Sequence, residues 1–277
     1  MLLAVEATRL QREVRGIGRY VRAVLPRMLA LDANLRVHLF VKNRRHAADL
    51  EQALAADPAF AGRADVRLVA DMRRAPADVF WYPWNVARPA PRRGAVVATI
   101  HDVAQVAVPD PRWTAWRKNF RWRRLFAATA RRATLIAADS EFTGREIQRV
   151  LGVPPDRIRV VLLAADDTTP PAPSVDAGAI ARLGVRAPYV LAVGADERRK
   201  NLPLLARAMT RLVADGEPIT LVLAGPRRNR AAADWTRAPW VHTLGFVSEP
   251  DLASLYRQAA LFAMPSTYEG FGLPALE

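Results

Sequence analysis

An α/β fold of two consecutive units is predicted for this 277-residue chain, and three observations predict it. Short, almost continuous apolar runs alternate with amphipathic stretches, the pattern of strands buried on both faces of a parallel sheet. A proline-rich segment, DDTTPPAPSVDAG (166–178), interrupts the alternation, and the alternation then restarts. Apolar residues make up 51% of the chain, enough for a sizeable core and against global disorder.

Taken in order, the strands of the first unit are predicted at 2–7, 36–41, 65–70, 78–83, 95–100, 133–138 and 158–163. After Gly16, apolar residues fall at Ile17, Tyr20, Val21, Val24, Leu25, Met28 and Leu29, the spacing of one buried helix face. Pro26 within it is expected to bend or shorten that helix. A second helix is signalled by DSEFTGREIQRVLGV, with Ser140 as N-cap and Gly152 near its stop. The second unit is predicted to contain strands at 189–194, 219–225, 241–246 and 261–265, with helices at 201–214 and 250–259. The domains are accordingly 1–166 and 179–277, joined by a linker over 167–178.

Composition excludes several chemistries. The chain has no cysteine, which rules out a disulfide scaffold, a Cys-ligated zinc and thiol catalysis. Its four histidines, His38, His46, His101 and His242, are scattered without metal-ligand spacing, so no metal site is expected. The start, MLLAVEATRL, lacks a basic front end and a cleavage site and reads as a strand. No apolar stretch approaches the roughly 18 residues of a membrane span. A cytoplasmic location is expected, or a peripheral one at the inner face of the membrane. The net charge of +14 and pI of about 11.2 favour anionic partners, although arginines that merely solvate the surface give the same numbers. No nucleic-acid recognition motif is present, and no nucleic-acid partner is expected.

Strand-to-helix loops are where ligands bind in such sheets. In VRGIGRY (14–20), Gly16 and Gly18 would let the backbone approach a ligand near helix N–H groups; a tight turn is the other reading. In ATIHDVAQ, His101 and Asp102 leave the tip of an apolar strand, and without a nucleophile motif His101 looks like a substrate-contacting group. In VGADERRKNLPLL, Arg198, Arg199 and Lys200 precede a helix that Asn201 could cap and Pro203 could open. This suits a diphosphate. In LFAMPSTYEGFGLPALE, Gly270 and Gly272 loosen a loop before a helix opened by Pro274. Glu269 before it and Glu277 about one turn inside it could accept hydrogen bonds from sugar or ribose hydroxyls.

The stretch 111–132 carries eight Arg or Lys and no acid. Trp113, Trp116 and Phe120 share one helical side, and Arg117, Arg121 and Arg124 another. An anionic lipid surface or a charged acceptor is one reading; aromatics packed inward with solvated arginines is the other. Trp81, Tyr82 and Trp84 similarly form either an aromatic wall or ordinary core.

Together these motifs resemble the retaining glycosyltransferases of family 4. The resemblance runs through RGIGRY, TIHDV, ADSEFTGREIQRVLGVPPDRIRVV, GADERRKNLPLLARAM, LGFVSEPDLASLYRQA and MPSTYEGFGLPALE, ending in an E-x7-E motif. It implies a GT-B fold, two Rossmann-like domains facing across a cleft that holds a nucleotide-sugar. By resemblance, Arg199 and Lys200 hold the donor diphosphate, which Gly16 and Gly18 let the first loop approach. Glu269 contacts the transferred sugar, helped by backbone N–H groups around Phe271 and Gly272, and Glu277 holds the ribose. Phe246 and Val247 flank the base, and His101 contacts the sugar near the reacting carbon. His101 and Glu269 are thus the catalytic candidates.

The resemblance further implies front-face transfer with retention, with no protein nucleophile, metal or other cofactor. The donor sugar would be a hexose such as mannose, passed to a saccharide or lipid-linked acceptor in polysaccharide or glycoconjugate assembly. Gly194-Ala195 replaces the family's glycine-arginine pair, which moves the arginine's duty to Arg198 or Arg199. The family's second domain continues beyond the position of Glu277. The chain is therefore expected to be a fragment with an incomplete second domain, lacking roughly a hundred residues and inactive alone. The alternative function is a catalytically inactive relative acting as a nucleotide- or anion-binding module.

Overall fold

The computed structural model describes residues 1–10, 16–164, 177–226 and 234–277. It divides into two compact units, Met1–Leu163 and Ala164–Glu277. The predicted linker lies outside the described residues except for Ala177 and Gly178, which already belong to a helix.

The first unit runs β1 (Leu2–Glu6), α1 (Ile17–Leu31), β2 (Arg36–Val41), α2 (Arg44–Ala55), β3 (Ala64–Leu68), β4 (Val79–Tyr82) and β5 (Ala95–Ile100). It continues with the one-turn α3 (Ala104–Ala107), then α4 (Trp116–Arg132), β6 (Leu135–Ala138), α5 (Glu141–Leu151) and β7 (Ile158–Val160). The seven strands form one parallel sheet in the order β3-β2-β1-β4-β5-β6-β7. Register pairs Leu3 with Val37 on one side and with Val79 on the other. The winding direction reverses between β1 and β4, the kind of switch point at which such sheets bind ligands beyond their carboxyl ends.

Burial explains the central strands. Along β2, every residue after Arg36 is buried, whereas the edge strand β3 is buried at no position. Helix α1 runs unbroken through Pro26 to Leu31, against expectation. Its face of Val21, Leu25 and Leu29 is buried against the sheet, flanked by Ile17, Tyr20, Val24 and Met28. Burial worth about 1.5–3 kcal/mol per large side chain offsets the hydrogen bond that Pro26 cannot make. Helix α5 starts and stops as predicted: the Ser140 hydroxyl accepts from the Thr143 N–H at 3.0 Å, and Gly152 closes the helix in the left-handed region.

The second unit contains α6 (Ala177–Arg182), β8 (Tyr189–Val193), α7 (Leu202–Ala214), β9 (Thr220–Ala224), β10 (Val241–Gly245), α8 (Glu249–Gln258) and β11 (Leu261–Phe262). These strands are again parallel, in the order β10-β9-β8-β11, with the reversal between β8 and β11. Both faces of the sheet are packed. Tyr189, Leu191, Val222 and Leu255 centre one cluster, and Val190, Met209 and Leu221 the other. The predicted strand 261–265 is shorter than expected: Ala263 still donates to the Leu191 carbonyl, and the chain then leaves the sheet before Pro265.

Candidate functional site

Each unit places one cluster of polar side chains at the carboxyl end of its sheet. In the first, β5 delivers His101 to the sheet edge, and the ring is enclosed: its side chain is 12% exposed. The partner of its Nδ1 is Asp139, at the end of β6, with Oδ2 at 2.5 Å and a carboxylate only 4% exposed. Nε2 donates to the Pro83 carbonyl at 2.8 Å. A carbonyl only accepts, so Nε2 is the donor there, and Nδ1 faces the Asp139 carboxylate.

The backbone of His101 is held as firmly as its ring. The Asn85 amide oxygen accepts from the His101 N–H at 2.7 Å, and the Thr143 hydroxyl donates to the His101 carbonyl at 3.3 Å. Asn85 takes a positive φ of 67° to do this, a conformation that costs energy and is easiest for Asn among side-chain-bearing residues. Tyr20 of α1 stands edge-on to the imidazole at 5.1 Å. Burial raises the Tyr20 phenol above its ordinary pKa, so it stays protonated at neutral pH. The acid next in sequence, Asp102, turns instead to the Ala104 N–H at 3.0 Å. Gly16 precedes α1 directly, and Gly18 is buried within its first turn; of the loop leading to them, residues 11–15 are not among those described. Trp81, Tyr82 and Trp84 are buried core residues, with the Trp81 indole donating to Thr99 and the Trp84 indole to the Glu6 carbonyl.

In the second unit, three predicted residues meet. Glu269 receives Lys200 Nζ at 2.6 Å on one carboxylate oxygen and Arg199 Nη1 at 2.7 Å on the other. Arg199 also donates through Nε to Glu197 at 2.9 Å and through Nη1 to the Tyr268 carbonyl at 3.3 Å. The loops carrying these groups are tied together, because the Thr267 N–H donates to the Arg199 carbonyl at 2.8 Å. Burial alone would raise the Glu269 carboxyl. The Lys200 hydrogen bond and the Arg199 and Lys200 charges outweigh it, so the group lies below its ordinary pKa of 4.5. Ser266 adds to this lowering through a hydroxyl that lies beside the carboxylate but falls short of hydrogen-bond geometry.

Lys200 is 9% exposed and, among the described residues, Glu269 is the one partner of its ammonium. Two of its three N–H donors are therefore left for a ligand. It lines a pocket with Gly194, Ala195, Trp235, Thr243 and Ser266, at the reversal point between β8 and β11. The Thr243 hydroxyl is buried there without a partner. The pocket floor is main chain: a Cβ on Gly225 would lie 2.1 Å from the Gly194 carbonyl oxygen, and one on Gly194 would lie 3.3 Å from Lys200 Cε. Only glycine fits at Gly225.

Other expectations are revised. Asn201 does not cap α7: it adopts a left-handed conformation, and its side chain makes no cap hydrogen bond, while Pro203 does sit in the first turn. Val247 is 5% exposed and packed in the core with Leu252 and Leu255, so its side chain is not available to flank a base; Phe246 beside it is 70% exposed. Phe271 and Gly272 lie in a half-buried loop after Glu269. The helix expected at Pro274 is a single 3-10 turn, Leu273–Ala275. Glu277 follows that turn as an exposed residue instead of lying a full turn inside a helix.

The partners that sequence reasoning missed are Asp139, Pro83, Asn85 and Tyr20 in the first unit, and Glu197, Thr243 and Ser266 in the second. Asp139 carried a usable signal, because it ends an apolar strand as His101 does.

Comparison with known proteins places both units. The family model described as Glycosyltransferase Family 4 matches residues 14–169, and that described as Glycosyl transferases group 1 matches residues 187–277. The O-antigen chain mannosyltransferase B of Escherichia coli is 36% identical over 154 residues, 52% of this chain and 40% of that protein. The MMP alpha-(1->4)-mannosyltransferase of Mycolicibacterium hassiacum is 28% identical over 196 residues, 66% of this chain and 45% of that protein. The matches thus span less than half the length of these relatives. Among solved structures, Anabaena Alr3699/HepE in complex with UDP and glucose superposes with a TM-score of 0.63 at 17% identity, over 99% of this chain and 76% of that one. That likeness carries the fold, two Rossmann-like units of the GT-B class. With a family model covering more than half of its residues, the chain belongs to Glycosyltransferase Family 4.

Proposed function

We propose that the chain acts in transfer of a hexose from a nucleotide-sugar to a saccharide or lipid-linked acceptor, with retention at the anomeric carbon. Mannose, carried as GDP-mannose, is the first donor to test, since two relatives are named mannosyltransferases; the UDP-bound neighbour makes UDP-hexoses the second. The observation that carries the reading is the buried Lys200 ammonium with donors to offer, beside Arg199 and a main-chain floor at a strand reversal point.

In this reading the donor diphosphate sits on Lys200 and Arg199. As the bond from the anomeric carbon to phosphate oxygen breaks, negative charge grows on the diphosphate, and these cations oppose it without a metal ion. Glu269, fully ionised at neutral pH, accepts hydrogen bonds from sugar hydroxyls while the ring becomes oxocarbenium-like. The acceptor oxygen bonds to the same face of that carbon, and its proton passes to the departing phosphate oxygen. By resemblance, Glu277 is assigned to the ribose, Phe271 and Gly272 to the sugar and Phe246 to the base; in the first unit, His101 is assigned to the sugar and Gly16 and Gly18 to the diphosphate.

The test is a panel of nucleotide-sugars with saccharide and lipid-linked acceptors, scored by product linkage. Turnover giving the same anomer as the donor, and lost in Lys200→Ala and Glu269→Ala, supports the reading. Nucleotide binding without turnover would favour the anion-binding module. Turnover untouched by either substitution would overturn the site.

A further inference from the structure

In the first unit, the basic stretch 111–132 forms an exposed surface feature. A short 3-10 turn, Trp113–Ala115, leads into α4. The far half of the helix is anchored: Phe126, Thr129 and Ala130 are buried, and the Thr129 hydroxyl accepts from the Ala87 N–H at 3.0 Å. In the near half, Asn119 ties the helix to the Asp110 carbonyl at 2.7 Å, but the large aromatics stay outside. Trp113 is 83% exposed, Trp116 58% and Phe120 56%. Inward packing of these aromatics is therefore excluded.

Arginines flank them. Arg117 lies over the Trp116 ring at 5.4 Å, and Arg124 over Phe120 at 5.7 Å. Among the described residues, Arg117, Arg121, Arg123 and Arg124 have no carboxylate partner, and no acid occurs between Arg112 and Arg132. Water solvates the arginines well but not three large rings. A surface matched to both needs an anionic layer above an apolar one.

We propose that the Trp113–Arg124 face docks on an anionic phospholipid bilayer, lying flat in the headgroup region. Trp and Phe would enter the interface where amphipathic rings are most stable, while the arginines meet lipid phosphates. The helix has 17 residues and no helix of the described chain is long and apolar enough to span, so this is surface docking. Duplex nucleic acid would satisfy the arginines but leave the rings in water, which makes it the less complete fit. The inference does not depend on the proposed transfer, and its test needs no turnover.

The measurement is flotation of the full chain with phosphatidylcholine vesicles, with and without about one-third phosphatidylglycerol, at 0.1 M salt. Binding to the anionic vesicles alone is expected. With each arginine near the surface worth about fivefold in partitioning, R117E/R121E/R124E should lower binding by at least about a hundredfold. Trp113→Ala with Trp116→Ala should weaken it and remove quenching of tryptophan fluorescence by bromine-labelled acyl chains. All five positions are exposed, and circular dichroism checks that the fold is kept. Equal binding to neutral vesicles, no binding to anionic ones, or arginine dependence without tryptophan dependence would each overturn the proposal. Tighter binding to a duplex oligonucleotide, insensitive to loss of the tryptophans, would assign the face to nucleic acid instead.

Discussion

The two polar clusters sit at equivalent places, the carboxyl ends of parallel strands near a winding reversal, yet they use their charges in opposite ways. Around His101 every donor is engaged internally: Nδ1 faces Asp139, Nε2 faces Pro83 and the backbone N–H faces Asn85. Around Lys200 the pairing is incomplete, with one ammonium facing one carboxylate oxygen in an open pocket. The first cluster is built to hold a side chain still. The second is built to receive something. A ligand at His101 must displace an existing bond, whereas one at Lys200 can add to those present.

That contrast can be broken or sharpened by substitution. The largest effect is expected from Lys200→Met, which removes the receptive cation: transfer should fall about 10²–10³-fold in kcat/KM, measured with the best donor from the panel. Loss of less than tenfold would move the anion site elsewhere.

Asp139→Asn should come next. It leaves the shape but removes the carboxylate charge beside Nδ1, at about 1–3 kcal/mol in denaturant unfolding. The ¹⁵N shifts of the His101 ring should change with it. Unchanged shifts would mean that Asp139 does not hold the ring.

Glu269→Gln separates the two halves of the donor site. Release of Lys200 and Arg199 from a carboxylate should tighten binding of a free nucleoside diphosphate several-fold, on the order of the 1 kcal/mol of one charge contact, while transfer falls. Calorimetric titration reads the first and product formation the second. The same variant tests the acid response. Because folding lowers the Glu269 pKa, its ion pairs stabilise the fold above the ordinary 4.5 and that stabilisation is lost as pH falls through the lowered value. The stability gap between wild type and the Gln variant should close below about pH 4.5, as followed by thermal unfolding.

The smallest effect belongs to the scaffold: Gly152→Ala, at φ 65°, should cost about 1–2 kcal/mol without altering either cluster.

The sequence was most legible where local rules suffice. Strands β2 and β5 match their predicted limits because continuous apolar runs between polar loops leave little choice of length. The ends of α5 were legible because a serine cap and a left-handed glycine act within four residues. The Arg199–Lys200–Glu269 cluster was partly legible, since its charges stand in glycine-bearing loops. That the carboxylate pairs with the cations depends on a contact across 69 positions. The His101 enclosure was barely legible. Its partners come from α1, the loop after β4 and the end of β6, and only the sheet order brings them together. Asn201 misled because a good capping residue was instead required in a left-handed turn.

The paired glycines beneath the Lys200 pocket have a consequence for anyone who would redesign it. With the Gly225 position closed to any side chain by the Gly194 carbonyl, the bottom of the pocket has one available chemistry. A library aimed at new donors has nothing to vary there. Its diversity belongs at the rim, in Trp235, Thr236, Thr243 and Ser266, where side chains can be exchanged without parting two strands.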